Sequence, residues 1–380
     1  MSEEIKLTPA ELARYSRHIA IPEFNIEGQK KLKAASVLVV GSGGLGSPML
    51  LYLTAAGVGN IGIIDFDVVD DSNLQRQVLF NVDDIGKSKA ETAHQKLKKL
   101  NPHVNFKVYN TPLTKDNALE IIKDYDVVAD GTDNFPTRYL VNDACVLSNK
   151  VNVYASIFRF EGQVSVFNYL QEDGTRGPNY RDIFPEPPPP GMVPNCAEGG
   201  VLGVLPGIIG SMQANEVIKV ITGVGEPLVG RFFLMDAASF TTRILKIKKN
   251  PNNIITELIN YEQFCGLDIV QENNAVQKIT VQELKTMMDN EEDFQLIDIR
   301  EPFELEIASI GGTSIPLSSI AENLKLISKE KKVVIHCKSG GRSAKAIHML
   351  QELFPFDNLY NLEGGIIEFS KKIDRSLPTY

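Results

Sequence analysis

A glycine-rich segment of this 380-residue chain has the composition of a phosphate-binding loop. The segment GSGGLG spans residues 41–46, directly after an apolar, β-branched run and at the start of a helical pattern. Glycines let the backbone approach phosphate oxygens, and a helix N-terminus favours their negative charge. Alone, the loop fits a nicotinamide-dependent oxidoreductase as well as an ATP-dependent enzyme. The loop residues expected to contact a nucleotide are Gly41, Gly43, Gly44 and Gly46.

Charged residues that follow the next strands favour a triphosphate. An acidic residue after the second strand can bind ribose hydroxyls, and ligands of parallel sheets bind at the carboxyl ends of the strands. Two cations there would neutralise phosphates, and a carboxylate would hold a hard metal such as Mg²⁺. The sequence therefore predicts ATP with Mg²⁺, the metal being held by Asp133. The further residues expected at this site are Asp65, Asp67, Ser72, Asn73, Leu74, Gln75, Arg76, Lys89 and Asn134.

The four cysteines are widely spaced and form no CxxC pair, so no disulfide framework or cysteine-rich zinc site is expected. Cys196 precedes an apolar helical segment. Cys337 opens a six-residue C-x4-R loop that ends at Arg342, between a strand and a helix. Backbone N–H groups and the helix dipole stabilise an anion at such positions. Cys196 and Cys337 are therefore candidate nucleophiles, and Arg342 is a candidate to close the loop or to neutralise an anionic substrate.

The elements that would position the nucleotide loop alternate in type. Strands are expected over residues 36–40, 61–65, 104–109 and 125–130, and helices over 45–56, 86–100 and 135–149. This alternation predicts parallel βαβ units and a Rossmann-like, doubly wound α/β sheet. Antiparallel strand pairs over residues 151–168 and 231–248 would extend the sheet, and an apolar helix is expected over 203–221.

The alternation restarts on a smaller scale after a polar segment. Thr280 and Glu283 have the spacing of a capping box at the start of a helix. Strands over residues 295–299 and 332–336 and a helix over 341–353 follow. The predicted organisation is one domain over residues 1–262, a linker over 263–278, and a smaller C-terminal α/β domain over 279–380.

The bulk composition limits the compartment and the partners. A net charge of −9 argues against general binding to nucleic acid or to a membrane surface. The N-terminus lacks the apolar stretch of a signal peptide, and no apolar run is long enough to span a membrane. Isolated thiols fit a reducing compartment. We therefore expect a cytoplasmic protein that binds neither nucleic acid nor membranes.

Four motifs of the first domain together resemble the MoeB/ThiF branch of the ubiquitin-activating-enzyme superfamily: GSGGLG, DFDVVDDSNLQRQ, GKSKAE and DGTDNFPTRY. The resemblance implies adenylation of the C-terminal glycine carboxylate of a ubiquitin-like carrier, with release of pyrophosphate. Arg17 matches an arginine that reaches the ATP of the partner subunit, which implies a homodimer. Cys196 matches a cysteine that can form a thioester or a mixed disulfide with the activated carrier. The positions that match the family's ATP and Mg²⁺ ligands are Gly44, Asp65, Asn73, Arg76, Lys89 and Asp133.

The sequence departs from this family at its structural zinc site. Many members carry two CxxC pairs, which would fall at residues 179–182 and near 250–253. Neither position holds a cysteine here, so a tetrahedral thiolate site cannot form. We therefore expect no zinc, with the local fold held by packing instead.

The C-terminal domain resembles rhodanese over residues 278–380, through the motifs LIDIREPFE, IPL and NLEGGI and the cysteine loop. The resemblance implies that Cys337 carries a transferable sulfur as a persulfide. Asp298 and Arg300 match a structural D-x-R signature. The six-residue loop favours sulfur transfer over the phosphatase reaction of related domains, whose loop is one residue longer. His336, which precedes the nucleophile, is expected to be structural because adjacent strand residues point to opposite faces.

Both domains lead to one hypothesis, in which ATP activates a carrier that ends in Gly-Gly and the persulfide converts it into a thiocarboxylate. The partners expected are that carrier, a persulfide donor such as a cysteine desulfurase, and a second subunit. Three alternatives remain: adenylation with an independent sulfurtransferase, conjugation of a ubiquitin-like protein, and a nicotinamide oxidoreductase. The residues expected to take part in catalysis are Arg76, Cys196, Cys337 and Arg342.

Overall fold

The computed structural model describes residues 5–188, 199–266 and 276–379. It divides into two compact units, Met1–Asp268 and Ile269–Tyr380. Among the described residues, none of the helices combines the length and the apolar character needed to cross a bilayer.

The first unit is built on an eight-stranded sheet. Its strands are β1 (Ser36–Val40), β2 (Asn60–Ile64), β3 (Asn105–Tyr109), β4 (Val127–Asp130), β5 (Val151–Phe158), β6 (Glu161–Phe167), β7 (Arg231–Asp236) and β8 (Thr241–Lys246). Their order in the sheet is β3-β2-β1-β4-β5-β6-β7-β8. The first five strands pair in parallel, and β6, β7 and β8 add antiparallel strands. The predicted doubly wound sheet with an antiparallel extension is confirmed.

Helices cover both faces of this sheet. They are α1 (Pro9–Arg14), α2 (Ser16–Ile19), α3 (Asn25–Ala34), α4 (Gly46–Ala56), α5 (Lys89–Leu100), α6 (Ala118–Ile122), α7 (Phe135–Leu147), α8 (Leu205–Thr222) and α9 (Tyr261–Phe264). One core lies under α3, α4, α5 and α8, and the other lies under α6 and α7. Parallel strands buried on both faces explain the continuous apolar runs such as SVLVV in β1.

Helix α5 begins three residues later than the predicted start at residue 86, because Ser88 caps it. The Ser88 hydroxyl accepts a hydrogen bond from the Glu91 backbone N–H at 3.4 Å. Glu91 adds negative charge to the first turn, which the helix dipole favours. The cap makes Lys89 the first residue of the helix.

Two glycines of the GSGGLG segment have conformations that other residues would not accept. Gly41 has φ of +87°, in the left-handed region. A Cβ atom on Gly46 would lie 2.0 Å from the carbonyl oxygen of Gly41, so only glycine lets α4 start this close to β1. The segment therefore forms a tight turn from strand to helix.

The second unit contains a five-stranded sheet in which all strands are parallel. Its strands are β9 (Gln277–Ile279), β10 (Phe294–Asp298), β11 (Thr313–Ser314), β12 (Lys332–His336) and β13 (Leu359–Leu362). They lie in the order β11-β10-β12-β13-β9. Its helices are α10 (Val281–Asp289), α11 (Pro302–Ile307), α12 (Gly341–Leu353) and α13 (Gly365–Lys372).

The capping box predicted for the second unit is present. The Thr280 hydroxyl accepts from the Glu283 N–H at 3.2 Å, and a Glu283 carboxylate oxygen accepts from the Thr280 N–H at 2.8 Å. The box starts α10 one residue after β9, which fixes the turn from strand to helix.

The two segments that would carry the family's zinc ligands are joined by hydrogen bonds. Asp182 Oδ1 accepts from the Asn250 backbone N–H at 3.1 Å and from Asn253 Nδ2 at 3.3 Å. A carboxylate thus bridges the segments that zinc would bridge. Within the described ranges, no three His, Cys, Asp or Glu side chains are grouped closely enough to hold a metal ion.

A buried ion pair anchors the same region to α7. Arg181 donates to both carboxylate oxygens of Asp143, at 2.9 and 2.7 Å, and the Tyr261 hydroxyl donates to Asp143 at 2.9 Å. The Arg181 guanidinium also lies 4.6 Å from the ring centroid of Phe264. Packing was expected to hold this part of the fold, and the structure adds a charge-assisted network to it.

Candidate active sites

A pocket of the first unit lies at the carboxyl ends of β1, β2, β4 and their neighbours. This is the edge at which doubly wound sheets bind their ligands. Nine of the residues expected from the sequence line it: Gly41, Gly43, Gly44, Asp65, Asp67, Arg76, Lys89, Asp133 and Asn134.

Asp65 is fixed by the glycine loop. Its Oδ2 accepts from both the backbone N–H and the hydroxyl of Ser42, each at 2.8 Å, and its Oδ1 accepts from the Asp67 N–H at 2.9 Å. Because every bond holds the carboxylate in one orientation, Asp65 is preorganised at the end of β2. A rigid acceptor at this position suits a ribose hydroxyl.

Two cations stand on the β2 side of the pocket. Lys89 is nearly buried, and its ammonium pairs with Asp67 Oδ2 at 3.0 Å. Arg76 donates to the carbonyl oxygen of Ser72 at 3.0 Å. Asp67 is half-exposed, so a triphosphate can compete with it for Lys89. This ion pair, which orients Lys89 before a nucleotide binds, was not predicted from the sequence.

Asp133 and Asn134 have different roles at the end of β4. Asn134 caps α7, because its Oδ1 accepts from the Thr137 N–H at 2.9 Å. Asp133 is an exposed residue that lines the pocket. A single carboxylate at the pocket wall fits Mg²⁺, which takes most of its other ligands from phosphates and water.

Six expected nucleotide-site residues do not line the pocket. Gly46 lies behind the loop at the start of α4, and Gln75 backs Gly203. Asn73 Oδ1 accepts from the Asp70 N–H, so it serves the short 3-10 turn that carries Arg76. Arg17 is exposed on α2. The full set outside the pocket is Arg17, Gly46, Ser72, Asn73, Leu74 and Gln75.

Sequence reasoning missed several residues that line the pocket. Arg138 and Thr137 come from the first turn of α7, and Ile157 comes from the end of β5. The TRY triplet after DGTDNFP was a usable signal for Arg138 because it belongs to the same conspicuous motif. The residues after β3 carried no such signal: Thr111, Pro112 and Leu113.

Two of the three cysteines of the first unit lie within the described residues. Cys196 lies outside the described residues, so its role stays a prediction. Cys145 and Cys265 are buried. Burial raises the pKa of Cys145 well above its usual value and that of Cys265 to about 11. Both therefore remain thiols at neutral pH, which fits a structural role.

Cys337 lies at the base of the loop between β12 and α12, and its side chain is buried. The Gly340 N–H donates to its Sγ at 3.2 Å. The Ser343 hydroxyl lies 3.4 Å from the same sulfur. Gly340 has φ of +91°, which turns the loop back over the sulfur. Two donors around one sulfur stabilise an anion there.

Arg342 closes the loop through an ion pair. Its Nη1 and Nη2 donate to Glu304 Oε2 and Oε1, both at 2.7 Å. Glu304 is buried on α11, so this bidentate pair ties the cysteine loop to a neighbouring helix. Of the two roles expected for Arg342, the geometry favours closing the loop.

Asp298 and Arg300 form the scaffold under this loop. Arg300 is fully buried, and its Nε donates to Asp298 Oδ1 at 2.9 Å. Its Nη2 also donates to the Ala308 carbonyl at 2.8 Å. The carboxylate neutralises the buried guanidinium and the carbonyl oxygen accepts a further hydrogen bond from it, which fits a structural role for Arg300.

His336 is fully buried directly before the nucleophile. Its Nε2 lies 3.6 Å from Asp298 Oδ2, and neither ring nitrogen has a hydrogen-bond partner among the described residues. Burial lowers the pKa of His336 to about 4, although the Asp298 carboxylate opposes this shift. The imidazole is therefore neutral at physiological pH, which favours a structural role.

Comparison with known families assigns both units. Residues 15–256 match the ThiF family, and residues 280–372 match the rhodanese-like domain. The chain belongs to the ThiF family. In this member a rhodanese-like domain follows the ThiF domain, so the resemblance of each half is confirmed.

Relatives that combine the two domains match along the full length. The chain is 48% identical over 380 residues to the Mycobacterium tuberculosis protein named probable adenylyltransferase/sulfurtransferase MoeZ, covering 98% of this chain and 96% of that protein. It is 43% identical over 396 residues to adenylyltransferase and sulfurtransferase MOCS3 of Drosophila sechellia, covering 99% and 86%. This ThiF-family member is therefore an adenylyltransferase and a sulfurtransferase, and the oxidoreductase alternative is set aside.

Solved structures support the fold of the ThiF unit. A complex of Escherichia coli MccB with MccA-N7isoASN matches with a TM-score of 0.57 at 22% identity, covering 67% of this chain and 76% of that one. PaaA matches with a TM-score of 0.54 at 23% identity, covering 66% and 78%. At these identities the likeness concerns the fold alone.

Proposed function

We propose that the two activities act in sequence on one substrate, a ubiquitin-like sulfur carrier that ends in Gly-Gly. The observation that carries this proposal is the presence, in one chain, of a nucleotide pocket and of a buried cysteine whose sulfur is surrounded by donors. Adenylation makes a carboxylate reactive, and a persulfide is a nucleophile able to use that reactivity. The relatives named for both activities span the same two domains.

In the first step, a carboxylate oxygen of the carrier forms a bond to the α-phosphorus of ATP. The bond from that phosphorus to the bridging oxygen breaks, and pyrophosphate leaves with the electron pair. Asp65 would hold the ribose, Lys89 and Arg76 would hold the phosphates, and the glycine loop would cradle them. Asp133 would hold Mg²⁺, which neutralises charge on the phosphates when it is bound.

In the second step, the terminal sulfur of the Cys337 persulfide attacks the acyl carbon and AMP leaves. The product is an acyl disulfide between the carrier and Cys337. A thiolate, which we assign to Cys196, then attacks the Cys337 sulfur and releases the carrier thiocarboxylate. The resulting Cys196–Cys337 disulfide needs a dithiol reductant before the next cycle.

The loading of Cys337 requires a sulfur donor, for which a cysteine desulfurase that carries its own persulfide is the expected class. The protein is proposed to act in the cytoplasm as a homodimer, with Arg17 reaching the ATP of the partner subunit. The carrier decides whether the thiocarboxylate serves molybdopterin synthesis, thiamine synthesis or tRNA thiolation.

The decisive test is ATP–pyrophosphate exchange with a panel of Gly-Gly carriers from the same organism, followed by intact-mass analysis. We expect exchange with one carrier, loss of exchange when Mg²⁺ is chelated, and replacement of one carrier oxygen by sulfur when a persulfide donor is supplied. Cys337→Ser is expected to keep the exchange and to lose the thiocarboxylate.

Other results would favour the alternatives. Thiocarboxylate formation at the normal rate by Cys337→Ser, with no other sulfur source, would remove the persulfide step. Exchange without any thiocarboxylate from the unsubstituted chain would leave adenylation and sulfur transfer as separate reactions. Stable adducts between the carrier and lysines of other proteins would point to conjugation.

A further inference from the structure

Arg138 is a buried cation that lines the nucleotide pocket away from the two cations expected to hold phosphates. It lies in the first turn of α7, and only 7% of its surface is exposed. It nevertheless lines the nucleotide pocket, together with Thr137 and Ile157. A cation buried to this extent is costly unless it is paired or bound to a ligand.

The contacts of Arg138 hold the guanidinium in place but leave one donor without a partner. Nη2 donates to the Thr132 carbonyl oxygen at 3.2 Å. The guanidinium carbon lies 5.4 Å from the ring centroid of Tyr154 and 5.5 Å from that of Phe135. Nε has no hydrogen-bond partner within residues 5–188, 199–266 and 276–379. The side chain is thus held in one position, and the Nε donor of its guanidinium is available to a ligand.

No carboxylate of the described chain forms an ion pair with Arg138. The nearest candidate along β4 is Asp130, whose Oδ1 accepts from the Thr132 N–H and hydroxyl at 3.0 and 2.6 Å. Its Oδ2 has no hydrogen-bond partner in the described ranges, and its carboxylate interacts with the Arg138 charge without a hydrogen bond. Lys89 differs, because Asp67 already neutralises it. Arg138 is therefore a buried cation that no carboxylate of the described residues hydrogen-bonds, and its Nε is left for a ligand.

The order of strands separates Arg138 from the other cations. Lys89 and Arg76 follow β2, on the side of the pocket where Asp65 ends its strand. Arg138 follows β4, and Ile157 lies near the end of β5, both on the opposite side of β1. A nucleotide anchored at Asp65 leaves the β4–β5 side for a second substrate.

Adenylation brings two anions together, because a carboxylate must approach the α-phosphate. A cation at the carboxylate lowers this repulsion and orients the attacking oxygen. We infer that Arg138 binds the C-terminal carboxylate of the carrier, and that it is a substrate-binding residue of the adenylation reaction. This inference rests on the proposed function, since it takes the carboxylate of a carrier as the substrate.

The test compares two forms of the same carrier, one ending in a free carboxylate and one in a C-terminal amide. Affinities are measured by calorimetry with the full chain and an ATP analogue whose α,β bridge is methylene, so that neither form reacts. The unsubstituted protein is expected to bind the carboxylate about 10- to 100-fold more tightly, as for a charge-assisted hydrogen bond.

Arg138→Gln is expected to reduce this ratio to about one while leaving the affinity for the ATP analogue within about threefold of the original value. Arg138→Lys keeps the charge but loses the fork, so an intermediate ratio is expected. Arg375→Gln, at an exposed position of the second unit, is the matched control and should keep the full ratio. Each ratio is internal to one variant, so a loss of folded protein does not change it. If Arg138→Gln does not fold, Arg138→Lys decides.

An unchanged ratio in the Arg138 variants would overturn the inference. If the affinity for the ATP analogue also falls strongly, Arg138 is a nucleotide ligand instead. If the unsubstituted protein binds neither carrier form, the proposed function fails instead, and this outcome is distinct from the other two.

Discussion

At the scale of single residues, the Ser343 hydroxyl is one of two donors beside the sulfur of Cys337, the other being the Gly340 N–H. Ser343 has a single proton and three acceptors nearby: Asn361 Oδ1 at 2.6 Å, the Gly340 carbonyl at 3.1 Å and Cys337 Sγ at 3.4 Å. The proton can turn towards the sulfur when it is anionic. Asn361 is a positioning residue, because its Oδ1 accepts from the Ser343 hydroxyl and keeps it beside the sulfur until the proton turns.

We predict that Ser343→Ala slows alkylation of Cys337 by iodoacetamide at neutral pH about fivefold, the equivalent of one hydrogen bond of about 1 kcal/mol. Peptide mass spectrometry of the labelled chain measures the rate at this cysteine alone. Ser339→Ala, at an exposed position of the same loop, serves as the control. Equal rates for both variants would show that the Ser343 hydroxyl does not stabilise the thiolate.

A second prediction at this scale concerns His336. Its pKa is about 4 in the folded state and 6.5 ordinarily, so the unfolded chain binds more protons between these values. The stabilisation is therefore complete above pH 6.5 and decreases as the pH falls towards 4, by on the order of 3 kcal/mol. His336→Asn should remove this part of the acid sensitivity.

Urea unfolding followed by pulse proteolysis of the second unit, between pH 7 and pH 4, checks this prediction. His348→Asn, half-buried on α12, is the control and should unfold with the acid sensitivity of the unsubstituted chain. If His336→Asn also retains it, other groups titrate in this range.

At the scale of elements, the Asp143–Arg181 pair joins α7 to the segment at residues 179–182, one of the two that would carry the family's zinc ligands. Both side chains are largely buried, at 2% and 11% exposure. Removing one partner leaves an uncompensated buried charge, which costs about 3–5 kcal/mol. We predict that Arg181→Met destabilises the first unit by that amount, measured by urea unfolding.

Two controls accompany this measurement. Arg243→Met, on the exposed strand β8, should leave the urea midpoint unchanged. Chelation by EDTA is expected to leave the urea midpoint of the unsubstituted chain unchanged, since the sequence predicts no zinc there. A clear loss of stability in EDTA would contradict the assignment.

The sequence predicted most elements because their signals are local. Buried β-branched runs and the caps at Asn134 and Thr280 identify strands and helix starts without tertiary information. The helices α1, α2 and α3 were not predicted, although Thr8 and Glu11 form a capping box at the first of them. The strands β9, β11 and β13 were missed because they are short and lack the buried β-branched run that identifies the equally short β4.

The candidate sites were predicted in part. Motifs identified Asp65, Lys89 and Cys337, because glycine loops and a C-x4-R loop have recognisable spacing. They could not identify Glu304 as the partner of Arg342, since a contact across 38 residues leaves no periodic trace. Arg138 was not singled out although it lies in a recognised motif, because its burial and its side of the pocket come from packing and strand order.

At the scale of the whole molecule, the proposed homodimer makes a prediction about two defective proteins. Arg17→Gln and Asp133→Asn should each abolish pyrophosphate exchange. In a mixed dimer, the Arg17→Gln subunit keeps its own Asp133 and receives Arg17 from its partner, so one site is complete. After subunit exchange in an equal mixture, about a quarter of the unsubstituted activity should return, since random pairing makes half of the dimers mixed.

A mixture that is assayed before its subunits exchange is the control and should stay inactive. Size-exclusion chromatography of differently tagged chains can verify that subunits have exchanged. If exchange has occurred and no activity returns, Arg17 does not serve the site of a partner.

The place of β9 in the second sheet has an evolutionary consequence. The strand uses Gln277–Ile279, the first residues of the second unit to enter its sheet, and it pairs with β13 at the edge. A gene fusion that joins this unit to another protein must therefore keep residue 277, because a breakpoint a few codons later would remove a whole strand. The N-terminal border of the second unit is therefore set by the backbone pairing of β9. The reactive residues, Cys337 and Arg342, lie about sixty residues further along the chain.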